Sequence, residues 1–253
     1  MLDSHCHLEQ ENYQKDRDKV ILDCKKELNA VVTCCAHPKD FELTMSIADK
    51  YSGFVFVTAG IHPEFIKEIS EKEKDNFLEL IKENKDRIYG IGETGLDYFW
   101  VKEKNWQEKQ KELFQEIIGF AKELKKPIIV HSRDAFEDAV KILEQEDAKS
   151  VQMHMFGANH LLKRVIDNNW LVSLNTIVLR SKKHKKIARD IPLTNLLTET
   201  DSPWLGPEGK RNTPLSVKIV IERIAEIKKT SFEEVDKATT LNAVKFLNLP
   251  ITI

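Results

Sequence analysis

The chain opens with Asp3-Ser-His5-Cys-His7 at the head of an apolar stretch. In an extended strand, residues two apart share a face, so Asp3, His5 and His7 project together as two imidazoles with a carboxylate behind them. A single histidine on a core face is ordinarily a packed residue with a satisfied hydrogen bond. Two at this spacing beside an acid have the makings of a metal site. Further residues of the same chemistry recur along the chain: His62, Glu93, His131, His154 and Asp201. Such groups are costly to bury unless they are paired or bind metal. Imidazole nitrogen with carboxylate oxygen suits Zn or Mn, and Mg less well. A set of this size can hold two divalent ions about 3.5–4 Å apart, with a bridging carboxylate.

These residues can meet only if the fold brings them together. Short β-branched runs predict strands at 1–7, Ala30–Ala36, Phe54–Gly60, Arg87–Glu93, Pro127–His131, Ser150–His154, Trp170–Leu174 and Asn195–Thr200. Helical periodicity predicts helices between them at Asp16–Leu28, Phe41–Tyr51, Lys72–Glu83, Gln107–Leu124, Ala135–Gln145 and Leu161–Asn168, with Lys183–Asp190 the weakest. Two more, Leu215–Lys228 and Phe232–Leu247, finish the chain, and Ser231 with Glu234 reads as a capping box for the last. Eight strand–helix units predict an α/β fold, a TIM (β/α)8 barrel with an extra C-terminal helix, as a single domain over 1–253. No glycine-rich phosphate fingerprint follows a strand, which argues against an open doubly wound sheet. In a barrel, catalytic groups gather at the C-terminal ends of strands. Every residue named above lies on a strand or just beyond its end.

Length and composition agree. The chain has 253 residues and is 41% hydrophobic, enough for a large core, and no Gly/Ser-rich or Pro-rich linker divides it. A net charge of -2 gives no global attraction to polyanions or anionic membranes, so a polyanionic substrate would need local cations. Cys6, Cys24, Cys34 and Cys35 match no zinc-knuckle spacing and read as reduced thiols. With no long apolar run and a strand starting at residue 1, the expectation is a soluble, cytoplasmic monomer without membrane association.

The motifs resemble the TatD family of metal-dependent deoxyribonucleases, within the amidohydrolase superfamily. They are Asp3-Ser-His5-Cys-His7, Gly60-Ile-His62-Pro63, Gly92-Glu93-Thr-Gly95-Leu96-Asp97 and His131-Ser132-Arg133. They continue through His154-Met-Phe156-Gly157, Glu199-Thr-Asp201-Ser202-Pro203, Arg211-Asn212-Thr-Pro214 and Thr239-Thr-Leu-Asn242. The resemblance covers essentially the whole chain. It implies that His5, His7, Glu93, His131, His154 and Asp201 are ligands of two divalent metal ions. One departure is visible: where the family usually has His-Cys-Phe-Ser-Gly, this chain has His154-Met155-Phe156-Gly157, one residue shorter.

The expected activity is metal-dependent hydrolysis of DNA phosphodiesters, exonucleolytic on single-stranded ends. A water ionised between the ions would be the nucleophile, Glu93 the bridge, and Asp201 a ligand that orients that water or takes its proton. Asp3 is expected to fix an imidazole tautomer, and Glu199 to make a hydrogen bond one layer deeper. Asp97 is expected either to brace the strand-four loop or to cap a helix. His62, Arg133 and Arg211 are the candidate substrate contacts, with the run Arg180–Lys186 a solvated face or a phosphate-binding lip. Tyr98, Phe99, Trp100, Trp106 and Trp204 could stack bases or pack the rim, while Phe156 reads as core. The same ligand set could serve ester or amide hydrolysis, such as deacylation of D-aminoacyl-tRNA, or a non-catalytic metal-binding nucleic-acid protein.

Overall fold

The computed structural model describes all 253 residues. Eight strands form one parallel sheet in sequential order, β1 (Leu2–Cys6), β2 (Ala30–Cys35), β3 (Val55–Ala59), β4 (Ile88–Asp97), β5 (Ile128–Arg133), β6 (Val151–Met153), β7 (Leu171–Leu174) and β8 (Leu196–Thr198). The sheet curls into a nearly closed TIM barrel, which is why the strands read as continuous apolar runs: both faces are covered. The helices between them are α1 (Arg17–Glu27), α2 (Phe41–Lys50), α3 (Glu71–Glu83), α4 (Lys104–Leu124), α5 (Phe136–Gln145), α6 (Leu162–Asp167), α7 (Lys182–Asp190) and α8 (Val217–Lys228), with α9 (Phe232–Leu247) additional.

The differences from the sequence expectations concern ends. β4 runs four residues past Glu93 to Asp97, because Thr94 to Asp97 continue to pair with Val130 to Arg133. β6 and β8 stop short of His154 and Asp201: His154 N still donates to Val130 O at 2.9 Å, but the chain turns away at Met155 and at Asp201, which have positive φ of 44° and 56°. The helix read as weakest, α7, is well formed and capped by the Ser181 hydroxyl, which accepts from His184 N; the shortest helix is α6. At α9 only half of the expected capping box forms. Ser231 Oγ accepts from Glu234 N, but the Glu234 carboxylate accepts from the Thr230 hydroxyl. A complete box stands at Ser70 and Glu73 instead, starting α3.

β1 and β8 are joined at the top by a set of bonds around Asp3. Its carboxylate accepts from Thr200 N at 2.9 Å and from the Thr200 hydroxyl, and His5 O accepts from Asp201 N at 3.0 Å. At the opposite end, Leu247 and Leu249 of α9 and its tail pack with Leu2, Val32 and Phe56. No helix is long and apolar enough to cross a membrane.

Candidate metal centre

Glu93 stands at the middle of the barrel mouth, buried, with its two oxygens facing two sets of imidazoles. Oε2 lies 3.3 Å from His5 Nε2 and 3.6 Å from His7 Nε2. Oε1 lies 2.8 Å from His131 Nδ1, 3.5 Å from His62 Nε2 and 3.7 Å from His154 Nε2. Asp201 closes the group from β8: its Oδ1 is 3.6 Å from His7 Nε2, 3.8 Å from His5 Nε2 and 3.9 Å from His154 Nε2. His5 and His7 aim their Nε2 atoms at each other across 3.1 Å, a distance that calls for a shared proton or cation. The spacing of these donors fits metal. Three overlapping groups, His5–His7–Glu93, His5–His154–Asp201 and His62–Glu93–His131, each have their ligand atoms within 4.8 Å of one another.

A layer of carboxylates orients these rings from behind. Glu199, fully buried, meets His154 Nδ1 at 2.9 Å and accepts from Met155 N at 2.9 Å, which also anchors the short loop after His154. Phe156 in that loop is core, as expected. Asp97 accepts from Phe99 N and Trp100 N, bracing the β4 loop, and its other oxygen meets His131 Nε2 at 2.9 Å. It does not cap α4, whose N-cap is Glu103. Asp3 corrects an expectation: it touches no imidazole, and its oxygens go to the backbone of His5 and to Thr200. At His7 the tautomer-fixing role falls to the Cys34 carbonyl, 3.1 Å from Nδ1, together with Glu9, which the sequence reading missed. Glu9 Oε1 lies 3.2 Å from His7 Nδ1, and its Oε2 accepts from the Thr33 hydroxyl at 3.0 Å. The signal was available as an acid two residues after His7. Cys34 was also missed. Its thiol accepts from Glu93 N at 3.0 Å and donates to Gly92 O at 3.2 Å.

Close packing at β4 depends on Gly95, whose φ is +139° and whose missing Cβ would lie 2.1 Å from the His131 carbonyl oxygen. The backbones that carry Glu93 and His131 therefore approach as only glycine allows.

The charges are strongly coupled. Burial alone would push the Glu93 carboxyl up, but His154, His62, His131 and His5 together hold it well below the usual range. Burial likewise disfavours a charged His131, yet Asp97 and Glu93 pull it up to about 8. His154, against burial, is raised to about 10 by Glu199, Glu93 and Asp201. His5 and His62 are lowered, first by burial and then by neighbouring imidazoles.

The centre opens into a cavity of about 1160 Å³ that extends over the loops after β1, β2 and β3. Of the candidate substrate residues, His62 and Arg133 line it, and His62 sits against Glu93 itself. Arg133 forms no ion pair; its guanidinium lies 3.6 Å from the Phe99 ring centroid and 5.4 Å from that of Trp100. Arg211 does not reach the cavity. Its guanidinium is spent on Asp16 at 2.6 and 2.8 Å and on the Asn12 carbonyl, because the loop after β8 folds back over Tyr13. The Arg180–Lys186 run is also absent from the cavity lining: Arg180 ends a short 3-10 turn, Ser181 caps α7 and Lys182–Lys186 begin it, with His184 buried and Lys183 beside Gly157. Among the aromatics, Trp100 and Trp204 line the cavity, and Trp204 meets the His7 ring edge-on at 4.7 Å. Tyr98 instead donates to Asp138, and Trp106 faces a separate hollow.

A parallel barrel with this donor set at the C-terminal ends of its strands defines a metal-dependent hydrolase. The model of the family described as TatD related DNase matches residues 2–248, and the chain belongs to that family. It is 34% identical to the human protein named deoxyribonuclease TATDN3, over 97% of this chain and 93% of that one. It is 36% identical to the metal-dependent hydrolase YabD of Bacillus subtilis (strain 168), over 98% of this chain and 99% of the relative. Among solved structures, the TatD homologue YJJV from Escherichia coli superposes with a TM-score of 0.91 at 22% identity, covering 99% of this chain and 98% of its own.

Proposed function

We propose that the protein hydrolyses phosphodiester bonds in DNA, acting from single-stranded ends, with two divalent cations held by His5, His7, Glu93, His131, His154 and Asp201. The observation that carries this reading is the division of Glu93: one oxygen faces His5 and His7, the other faces His131, His62 and His154. A carboxylate divided in this way is what a bridging ligand requires. The relatives named as deoxyribonucleases support the choice of DNA. When bound, the cations supply Lewis acidity at the phosphate and a water that ionises near neutral pH. The chain's residues do the rest. Asp201 is the more exposed of the two central carboxylates, at 13% against 4% for Glu93, and faces the cavity to take the proton of the attacking water. Glu93 offsets positive charge between the two imidazole sets. Arg133 neutralises a phosphate of the bound strand, and Trp100 and Trp204 stack its bases.

The test is cleavage of 5′- and 3′-labelled single-stranded DNA after metal stripping, with Mg, Mn and Zn each restored. Nucleotide release should return with metal and be abolished by Glu93→Ala or Asp201→Ala. Normal cleavage by those variants would overturn the reading. Release of an amino acid from charged tRNA, without nucleotide release, would replace it with ester deacylation.

A further inference from the structure

The same local device occurs twice at the cavity mouth. After β2 the chain reads His37-Pro38-Lys39, and after β3 it reads His62-Pro63-Glu64. In each, the histidine caps a short 3-10 turn with proline at its start, and Nδ1 accepts the backbone N–H two residues on, at 3.1 Å for His37 and 3.2 Å for His62. The two turns lie side by side, since His62 N donates to Ala36 O at 3.0 Å. Both rings contact Phe65 edge-on, His37 at 4.6 Å and His62 at 5.9 Å. His62 directs Nε2 to Glu93, while His37, on the turn after β2, lines the cavity with Nε2 unengaged.

Because Nδ1 is an acceptor in each cap, a neutral ring carries its proton on Nε2. Burial and the Lys39 charge hold His37 below the usual histidine range, so at neutral pH it is an uncharged donor. Lys39 adds a cation: its ammonium lies 5.9 Å from the Phe65 centroid and forms no ion pair. Among the cationic side chains of the cavity, Arg17 is consumed by the carbonyls of Leu8, Glu9 and Gln10. That leaves Lys39, after β2, and Arg133, at the end of β5, each over a phenylalanine ring.

We propose that His37 and Lys39, on the turn between β2 and α2, form a second anion subsite that binds the phosphate of the nucleotide next to the scissile bond. This rests on the reading of the cavity as a polynucleotide site. His37 Nε2 donates to a phosphate oxygen and Lys39 supplies the charge, while Phe65 backs both. The carboxylates of Glu11, Asp40 and Glu64 line the same end and outnumber its one free cation.

The test pairs variants with substrate analogues. Single-stranded oligonucleotides are made with one phosphate beside the cleavage position replaced by a neutral methylphosphonate. His37→Asn keeps a side-chain acceptor for the cap but lacks the distal N–H, and Lys39→Met removes the charge. Binding of labelled oligonucleotides to the metal-stripped protein is measured by anisotropy, and cleavage is measured after metal is restored. Each variant should weaken binding of the all-phosphate strand roughly tenfold and raise KM with kcat little changed. On the methylphosphonate strand, the same variants should have no further effect. Equal losses on both strands, no loss on either, or no measurable binding would overturn the subsite. Coupled losses in binding with no cleavage under any metal would leave the subsite standing and overturn the nuclease reading instead.

Discussion

Glu199 holds His154 from behind: Oε2 lies 2.9 Å from the imidazole Nδ1, while Oε1 accepts from the backbone of Met155, one residue on. Ring and loop are therefore fixed by one buried carboxylate. Glu199→Gln should lower metal affinity about 10- to 100-fold, as removal of a ligand's supporting partner does elsewhere. Glu9→Gln should act similarly through His7. Competition against a chromophoric chelator measures both, and wild-type affinity in both variants would show that these carboxylates only pack.

The metal-free protein should lose stability as pH rises above neutrality. His131 at about 8 and His154 at about 10 are raised above their unfolded value of about 6.5. Their contribution is complete below about 6.5 and disappears as pH climbs through 8 and then 10. Glu93 is depressed, so its contribution is complete above its ordinary 4.5 and declines as pH falls below that. Melting temperature of the stripped protein should therefore peak between about pH 5 and 7. Loading metal should flatten the alkaline limb and release protons into a weakly buffered solution. A stripped protein with constant melting temperature from neutral to strongly alkaline pH would contradict this.

Trp100 and Trp204 are exposed at 56% and 43%, although both are large and aromatic. If they stack bases, alanine at either position should raise KM by roughly 5- to 100-fold with kcat nearly kept, since each stacked base is worth about 1–3 kcal/mol. Steady-state kinetics on single-stranded oligonucleotides gives the answer. Unchanged KM in both variants would assign them to the rim.

Gly95→Ala should be severely destabilising, by about 2–4 kcal/mol, because the new methyl meets a backbone oxygen that cannot rotate away. Urea unfolding measures it, and a change below about 0.5 kcal/mol would mean that β4 and β5 can separate locally. Arg211→Ala, by contrast, should leave KM unchanged and alter melting temperature only slightly, since its partner Asp16 lies at the surface.

The barrel was legible because eight β-branched runs alternate with helical periodicity, and the donor cluster because titratable residues recur at the strand ends. Residues whose roles depend on side-chain reach were harder to place. Asp3 shares a strand with His5, yet its carboxylate turns to the backbone; periodicity gives a face but not a rotamer. Arg211 lies within a family motif, but Asp16, nearly two hundred residues earlier, captures it. Cys34 acts on Glu93 of β4, a contact that no local pattern encodes, whereas Glu9 lies two residues after His7 and was within reach of the strand-spacing argument. His37 lies just past the predicted strand Ala30–Ala36, and only the fold sets its turn beside that of His62.

The bonds between Asp3 and Thr200, and between His5 and Asp201, lie along the seam where the first and last strands meet. His5 and His7 belong to one edge of that seam and Asp201 to the other. The barrel must therefore shut before these side chains can meet. An incompletely folded chain has no assembled centre, and transient parting of the two edges should disperse it before the rest of the sheet is disturbed. Amide exchange at Thr200 and Asp201 should accordingly slow when metal is added, as the cation acts as a rivet across the last joint to close.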